Sequence, residues 1–241
     1  MQTKFMKKPL VSIVIRTKNE EKYISKVLNL LYKQSFKDFE IIIVDSGSTD
    51  RTLEIVKKFP IRLYKIKQKD FTYGYSLNYG ISKANGKYIC ILSGHSMPMS
   101  NNWLSNGVNV LSKDKNLAGL SGYYSDFIVG YWSRFLGNIV FLYFPFFKKR
   151  ENYTPWISNT NSLIKKEFWQ KYKFDESLPG SEDYDWGKEM IFRGYNIAKI
   201  RSFSVFHSHL LINRPTYRQM LPLWARWNKT VDNKKRIYKF K

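Results

Sequence analysis

Short apolar runs alternate along the first half of the chain with stretches whose apolar positions recur at helical spacing. Residues 10–15 are rich in Val and Ile and end in a polar loop, Arg16-Thr17-Lys18-Asn19-Glu20. A helix-period stretch follows, with Tyr23, Ile24, Val27, Leu28 and Leu31 on one face. Residues 39–44 repeat the strand pattern and run into Asp45-Ser46-Gly47-Ser48-Thr49-Asp50, where Ser48 or Thr49 is placed to cap a helix carrying Leu53, Ile55 and Val56. A third strand over 61–66, a helix over 73–84 ended by Asn85-Gly86, and a fourth strand over 88–92 complete the alternation. Strands alternating with helices predict a mostly parallel sheet, wound right-handedly and flanked by helices. The fourth strand is apolar on both faces, which suits the middle of that sheet. Ser93, Gly94 and His95 then stand at its carboxyl end, where ligands gather in such folds.

Beyond this half, residues 102–111 read as a helix with Trp103, Leu104, Val108 and Leu111 inward, and 117–123 as another strand. Residues 127–147 hold Trp132, Phe135, Phe141, Phe144, Phe146 and Phe147, with Lys148-Lys149-Arg150 behind them. Arg134, Gly137 and Pro145 interrupt that run, so a membrane-spanning helix is not expected. Core, a dimer face and an interfacial membrane patch all remain open for it. Residues 196–206 read as a returning strand ending in His207-Ser208-His209. After Asn213 the chain turns basic and aromatic, with Arg214, Arg218, Trp224, Arg226, Trp227, Lys229, Lys234, Lys235 and Arg236. Such a helix can lie on an anionic bilayer, or pack and be followed by a frayed tail.

Composition narrows the picture. A chain of 241 residues, 43% of them hydrophobic, can bury the core of one large α/β domain. Its formal net charge of +22 predicts anionic partners: nucleotide phosphates, nucleic acid or an acidic membrane surface. No RNA-binding or helix-turn-helix signature is present, so nucleic acid is not an expected partner. The single cysteine, Cys90, lies inside the fourth strand and excludes an intrachain disulfide, which fits a reducing compartment. The apolar run 10–15 is too short for a signal peptide and is cut by Arg16, so no cleavage is expected.

Residues 12–20, Gln34, and Glu40-Ile41-Ile42-Ile43-Val44-Asp45-Ser46-Gly47-Ser48-Thr49-Asp50 together resemble the opening of family 2 glycosyltransferases, and the likeness extends to about His209. The resemblance implies a single-domain GT-A fold, with a Rossmann-like, mostly parallel central sheet. Residues 1–210 would form that domain, 1–124 its nucleotide-sugar half and 125–210 its acceptor half, with 211–241 a basic aromatic C-terminal helix and tail. It also implies inverting transfer of a sugar from a nucleotide-sugar donor to a hydroxyl of a saccharide or lipid-linked acceptor. By the same resemblance Thr17, Glu20 and Asp45 hold the nucleotide, and Ser93 and His95 meet the donor diphosphate. In Phe174-Asp175-Glu176-Ser177-Leu178-Pro179-Gly180-Ser181-Glu182-Asp183-Tyr184-Asp185-Trp186, Asp183 is the implied catalytic base, with Glu182 and Trp186 shaping the acceptor pocket. Asn159 and Asn161, sharing a face if their segment is extended, are further acceptor residues.

The family's metal-binding Asp-x-Asp is replaced here by Ser93-Gly94-His95. Serine is a poor ligand, and neutral imidazole prefers transition metals to Mg²⁺. A divalent cation, Mn²⁺ or Mg²⁺, is still implied, with His95, His207 and His209 as its candidate ligands. A protonated His95 donating directly to a phosphate is the metal-free alternative. Relatives of this type build surface polysaccharide at the cytoplasmic membrane face, so the resemblance implies a cytoplasmic protein with peripheral membrane contact. The other expected class is a noncatalytic sugar- or nucleotide-binding protein that kept the fold.

Overall fold

The computed structural model describes residues 8–125, 152–153, 156–207 and 217–236. β1 (Val11–Thr17) is flanked in parallel register by β2 (Phe39–Asp45) and β4 (Tyr88–Ser93), and β3 (Arg62–Lys65) pairs in parallel with β2. Beyond β4 the direction changes: β8 (Asn161–Lys165) runs antiparallel to both β4 and β6 (Leu117–Ser125). β9 (Asn196–His207) is parallel to β6 and carries β5 (Ser96–Pro98) and the short β7 (Asn152–Tyr153) antiparallel to it. The resulting order is β3-β2-β1-β4-β8-β6-β9-β5, with β7 paired to β9.

Alternate side chains of β1, β2 and β4 enter two cores, one on each face of the sheet. Val11, Ile13, Ile15, Ile41, Ile43, Cys90 and Leu92 are covered by α1 (Ile24–Tyr32), α2 (Thr52–Val56) and α4 (Trp103–Lys113). Val14, Ile42, Val44, Ile89 and Ile91 are covered by α3 (Tyr73–Ser82), α5 (Lys166–Lys171) and α6 (Glu182–Phe192). Helices on both faces explain why these strands are apolar throughout rather than alternating. Each fully buried Leu, Ile or Val, such as Leu28 or Ile13, contributes about 1.5–3 kcal/mol relative to exposure.

The expected cap of α2 is corrected. The helix begins at Thr52 without a side-chain cap from Ser48 or Thr49, and Asp50 Oδ1 instead accepts the Thr52 N–H at 2.9 Å. Ser48 and Thr49 are engaged elsewhere: Ser48 Oγ donates to Asp45, and the Thr49 N–H and Oγ1 donate to Asn19 Oδ1. α7 (Tyr217–Asp232) buries Val231 against the body, and Lys234 and Arg236 beyond it are ion-paired rather than frayed.

Candidate active site

Register places the site. Thr17 pairs with Asp45, and Arg16 with Ser93, so the ends of β1, β2 and β4 form one edge where three polar loops meet. At the first corner the Asp45 carboxylate is fully engaged. Thr17 Oγ1 donates to Oδ2 at 2.9 Å and Ser48 Oγ to the same oxygen at 2.5 Å, while the Gly47 and Ser48 N–H groups donate to Oδ1 at 3.0 and 2.9 Å. A carboxylate has about four lone-pair sites, and four donors occupy them here. Asp45 therefore organises the 45–48 turn, and it can take a nucleotide hydroxyl only in exchange for one of these donors.

The second corner holds the histidines. His95 Nδ1 lies 3.0 Å from both Glu20 carboxylate oxygens, inside the protein. The two segments meet so closely that a Cβ at Gly94 would come within 2.9 Å of Glu20 Cγ. Glu20, expected to hold the nucleotide, is buried here as the partner of His95. The pairing follows from the Asp-x-Asp replacement itself, because an imidazole at 95 can hydrogen-bond a carboxylate that an aspartate would repel. His95 stacks on His207 with ring centroids 4.5 Å apart, and His207 Nδ1 lies 2.9 Å from Ser96 Oγ. Ser93 Oγ sits 3.3 Å from the His95 ring nitrogens. His209 lies outside the described residues.

Two neighbouring imidazoles, each with one nitrogen held by a carboxylate or hydroxyl, match the way metal-binding histidines are oriented. Their nitrogen donors fit Mn²⁺ better than Mg²⁺. No group of three His, Cys, Asp or Glu side chains that could hold an ion occurs among the described residues.

The third corner is the start of α6. Ser181 precedes it with φ of +62°, a left-handed conformation unusual for a residue with a side chain. Half-buried Asp183 receives the Asn159 N–H on Oδ2 at 3.0 Å and the Tyr184 N–H on Oδ1 at 2.8 Å. Burial holds its carboxyl above the usual aspartate range, against the opposing pull of these N–H groups and of Arg16. Glu182 is more deeply buried, with Asn159 Nδ2 2.5 Å and Arg16 Nη1 4.0 Å from its Oε1. Burial first, and then the charge of Asp183, push the Glu182 carboxyl up to about 8. Burial thus raises both adjacent acids, and two backbone N–H groups oppose that rise at Asp183 by favouring its charged form.

The family profile for glycosyl transferase family 2 matches residues 12–172, more than half of the chain and all of the first two corners but His207. The chain belongs to glycosyl transferase family 2. Among curated relatives, an uncharacterized glycosyltransferase from Methanocaldococcus jannaschii is 28% identical over 232 residues, 88% of this chain and 74% of its own length. A dolichyl N-acetyl-alpha-D-glucosaminyl phosphate 3-beta-D-2,3-diacetamido-2,3-dideoxy-beta-D-glucuronosyltransferase from Methanococcus voltae is 34% identical over 125 residues, 46% of this chain but only 38% of its own. Among solved structures, a mannosyltransferase from Pyrobaculum calidifontis in complex with GDP-Man and Mn²⁺ aligns with a TM-score of 0.70 at 18% identity, covering 96% of this chain and 66% of that one. That likeness establishes the GT-A fold of this family 2 chain.

Within this member of the family, two of the expected acceptor residues are corrected. Trp186 is wholly buried and donates its indole N–H to the Tyr172 carbonyl at 2.9 Å, because its position on α6 turns it into the core beneath the sheet. Asn161 is wholly buried in β8, and its side-chain amide donates to the Phe203 carbonyl. Asn159, in contrast, stands between both acids, and its Oδ1 has no hydrogen-bond partner among the described residues. The exposed aromatic at this corner is Trp156, 48% exposed and stacked on Tyr184 with centroids 4.3 Å apart. Sequence reasoning missed Trp156 and also Arg16, whose guanidinium reaches Glu182 and lies 5.1 Å from the Tyr73 ring centroid. Arg16 stands inside the first family motif, so its place was visible even though its partner was not.

Proposed function

We propose that this chain transfers a sugar, with inversion at the anomeric carbon, from a nucleotide-sugar donor to a hydroxyl of a saccharide or lipid-linked acceptor. The observation that carries the reading is Asp183: a charged carboxylate, raised in basicity by burial and aimed by two backbone N–H groups, is equipped to take a hydroxyl proton. The deprotonated oxygen attacks the anomeric carbon from the face opposite the diphosphate. The bond to the diphosphate breaks, and its electron pair leaves with that group. His95 and His207 line the corner where this negative charge develops, and a protonated imidazole donates to it. A divalent cation bound by His95 and His207, with His209 as a further candidate, would neutralise charge on the leaving diphosphate.

Thr17, Asp45 and Ser93 frame the nucleotide pocket in this reading, Asp45 through the shape of its turn. Glu182 and Asn159 line the acceptor side, and Trp156 on Tyr184 offers a flat face for a sugar ring. Residues 1–124 form the donor half and 125–210 the acceptor half. A peripheral contact with a cytoplasmic membrane surface would bring a lipid-linked acceptor within reach. Exposed Leu221 and Leu223 on α7, near Arg226 and Lys229, support that placement.

The test is to offer a panel of UDP-, GDP- and dTDP-sugars, with and without Mn²⁺, and to measure both thermal stabilisation and nucleotide release. Ligand binding to the native state raises its melting temperature. Donor-dependent stabilisation with release of the nucleoside diphosphate is expected. Stabilisation without release under any condition would move the chain to the noncatalytic class.

A further inference from the structure

The segment after α7 lies outside the residues matched by the family profile, yet its contacts converge on the catalytic helix. Asp185, two residues after Asp183, is completely buried. Arg236 Nη2 donates to its Oδ1 at 2.8 Å, and Lys234 Nζ and Tyr172 OH donate to its Oδ2 at 3.1 and 2.8 Å. The other arm of the same guanidinium, Nη1, donates to Glu189 Oε2 at 2.8 Å. Arg236 therefore braces positions i and i+4 of α6, spanning one helical turn. Lys234 also reaches Asp175 Oδ2 at 2.7 Å, on the loop that leads into the helix.

α7 adds to this grip. Asp232 Oδ1 accepts from Tyr184 OH at 3.0 Å and from Lys188 Nζ at 2.5 Å. The Trp227 ring lies so close to Gly180 that a Cβ there would approach it to 2.3 Å, so only glycine fits beneath the indole. These contacts surround Ser181, whose left-handed backbone persists only if its surroundings over-determine it.

We propose that Lys234 and Arg236 are positioning residues: they lock the first turn of α6 and thereby aim the Asp183 carboxylate. The role assigned to Asp183 under the proposed function is assumed here. Without Arg236 the buried Asp185 carboxylate keeps Lys234 and Tyr172 on Oδ2 but loses the charged donor to Oδ1. The first turn then opens towards water, and Asp183, on that turn, leaves its two N–H donors.

Full-length Arg236→Ala and Arg236→Lys are compared with wild type in three measurements. These are UDP and GDP binding by calorimetry, release of UDP or GDP from UDP-glucose, UDP-N-acetylglucosamine and GDP-mannose, and hydrogen exchange by mass spectrometry. Arg236→Ala is expected to bind the nucleotides as wild type does while turnover falls about a hundredfold, the scale of a roughly 1 Å misplacement of a reacting group. Exchange should accelerate over residues 180–190 and stay unchanged over 11–17. Arg236→Lys should recover part of the turnover, since it keeps the charge but loses the two-armed brace. Wild-type exchange over 180–190 in Arg236→Ala, or a loss of turnover matched by an equal loss of nucleotide affinity, overturns the proposal. If Arg236→Ala does not fold, Arg236→Lys and Lys234→Ala carry the same comparison. If wild type releases nucleotide from none of the donors, the enzymatic reading fails, while the exchange data still decide whether this segment holds the loop.

Discussion

Asp183 and Glu182 sit side by side, and burial raises both carboxyls, with two backbone N–H groups opposing the rise at Asp183. Asp183→Asn removes the proton acceptor but keeps the shape, so turnover should fall by about 10²-fold or more with donor binding retained. Near-normal turnover would take Asp183 out of the mechanism. Glu182 makes a separate prediction about pH. Its folded-state value, near 8, lies above the ordinary glutamate value of 4.5, so folding takes up a proton between these limits. That contribution is fully present below pH 4.5 and is lost as pH rises towards 8. Glu182→Gln cannot ionise, so its melting temperature should gain on that of wild type across this window, and a constant difference would contradict the assignment. Asp45 makes a third. With its four acceptor sites filled by Thr17, Gly47 and Ser48, Asp45→Ala should lower both nucleotide affinity and melting temperature, because the turn itself loosens. Lost affinity with an unchanged melting temperature would mean a direct contact with the nucleotide.

At the scale of elements, the strands and most helices were legible because period-2 and period-3.6 patterns report burial directly. β1, β2 and β4 each place a polar residue, Thr17, Asp45 and Ser93, at the carboxyl end, and this pattern marks the edge of the site in the sequence. Trp186 was misread for a physical reason. The motif gives its position in the chain, but whether an indole on α6 turns to the cleft or the core depends on the crossing of helix and sheet, which no local pattern encodes. The cap of α2 was misread because Ser48 and Thr49 have competing partners from a distant loop, Asn19 among them. Glu20 and His95 likewise meet only through the fold, being 75 residues apart. Ser181 offers a test at this scale. Ser181→Gly should be tolerated or should raise the melting temperature, whereas Ser181→Val, β-branched at this φ, should lower it through a stability loss on the order of 1–2 kcal/mol. Equal melting temperatures for both variants would show that the loop relaxes freely.

For the whole molecule, the formal charge of +22 and the exposed leucines of α7 point the same way. The protein should float with anionic liposomes at low salt, detach as salt screens its lysines and arginines, and bind less well as Leu221→Asp/Leu223→Asp. No flotation at low salt would leave α7 to another partner. Among the described residues no helix is long and apolar enough to cross a membrane, and the aromatic run over 127–147 lies outside them.

Arg236 meets Asp185 across 51 residues of chain, and Lys234 meets Asp175 across 59. These contacts therefore order the site in time as well as in space. A chain made from its amino end has β1, β2 and β4, the whole nucleotide edge, long before Arg236 exists. Loop length does not by itself delay the clasp, since Val11 of β1 pairs with Tyr88 of β4 across a longer stretch of chain, but Lys234 and Arg236 find their partners only where α6 has already formed. In refolding from denaturant, recognition of the nucleotide should thus return before turnover, and the interval between them should lengthen when Arg236 is replaced by lysine. Equal recovery times for the two signals would mean that the clasp forms together with the sheet.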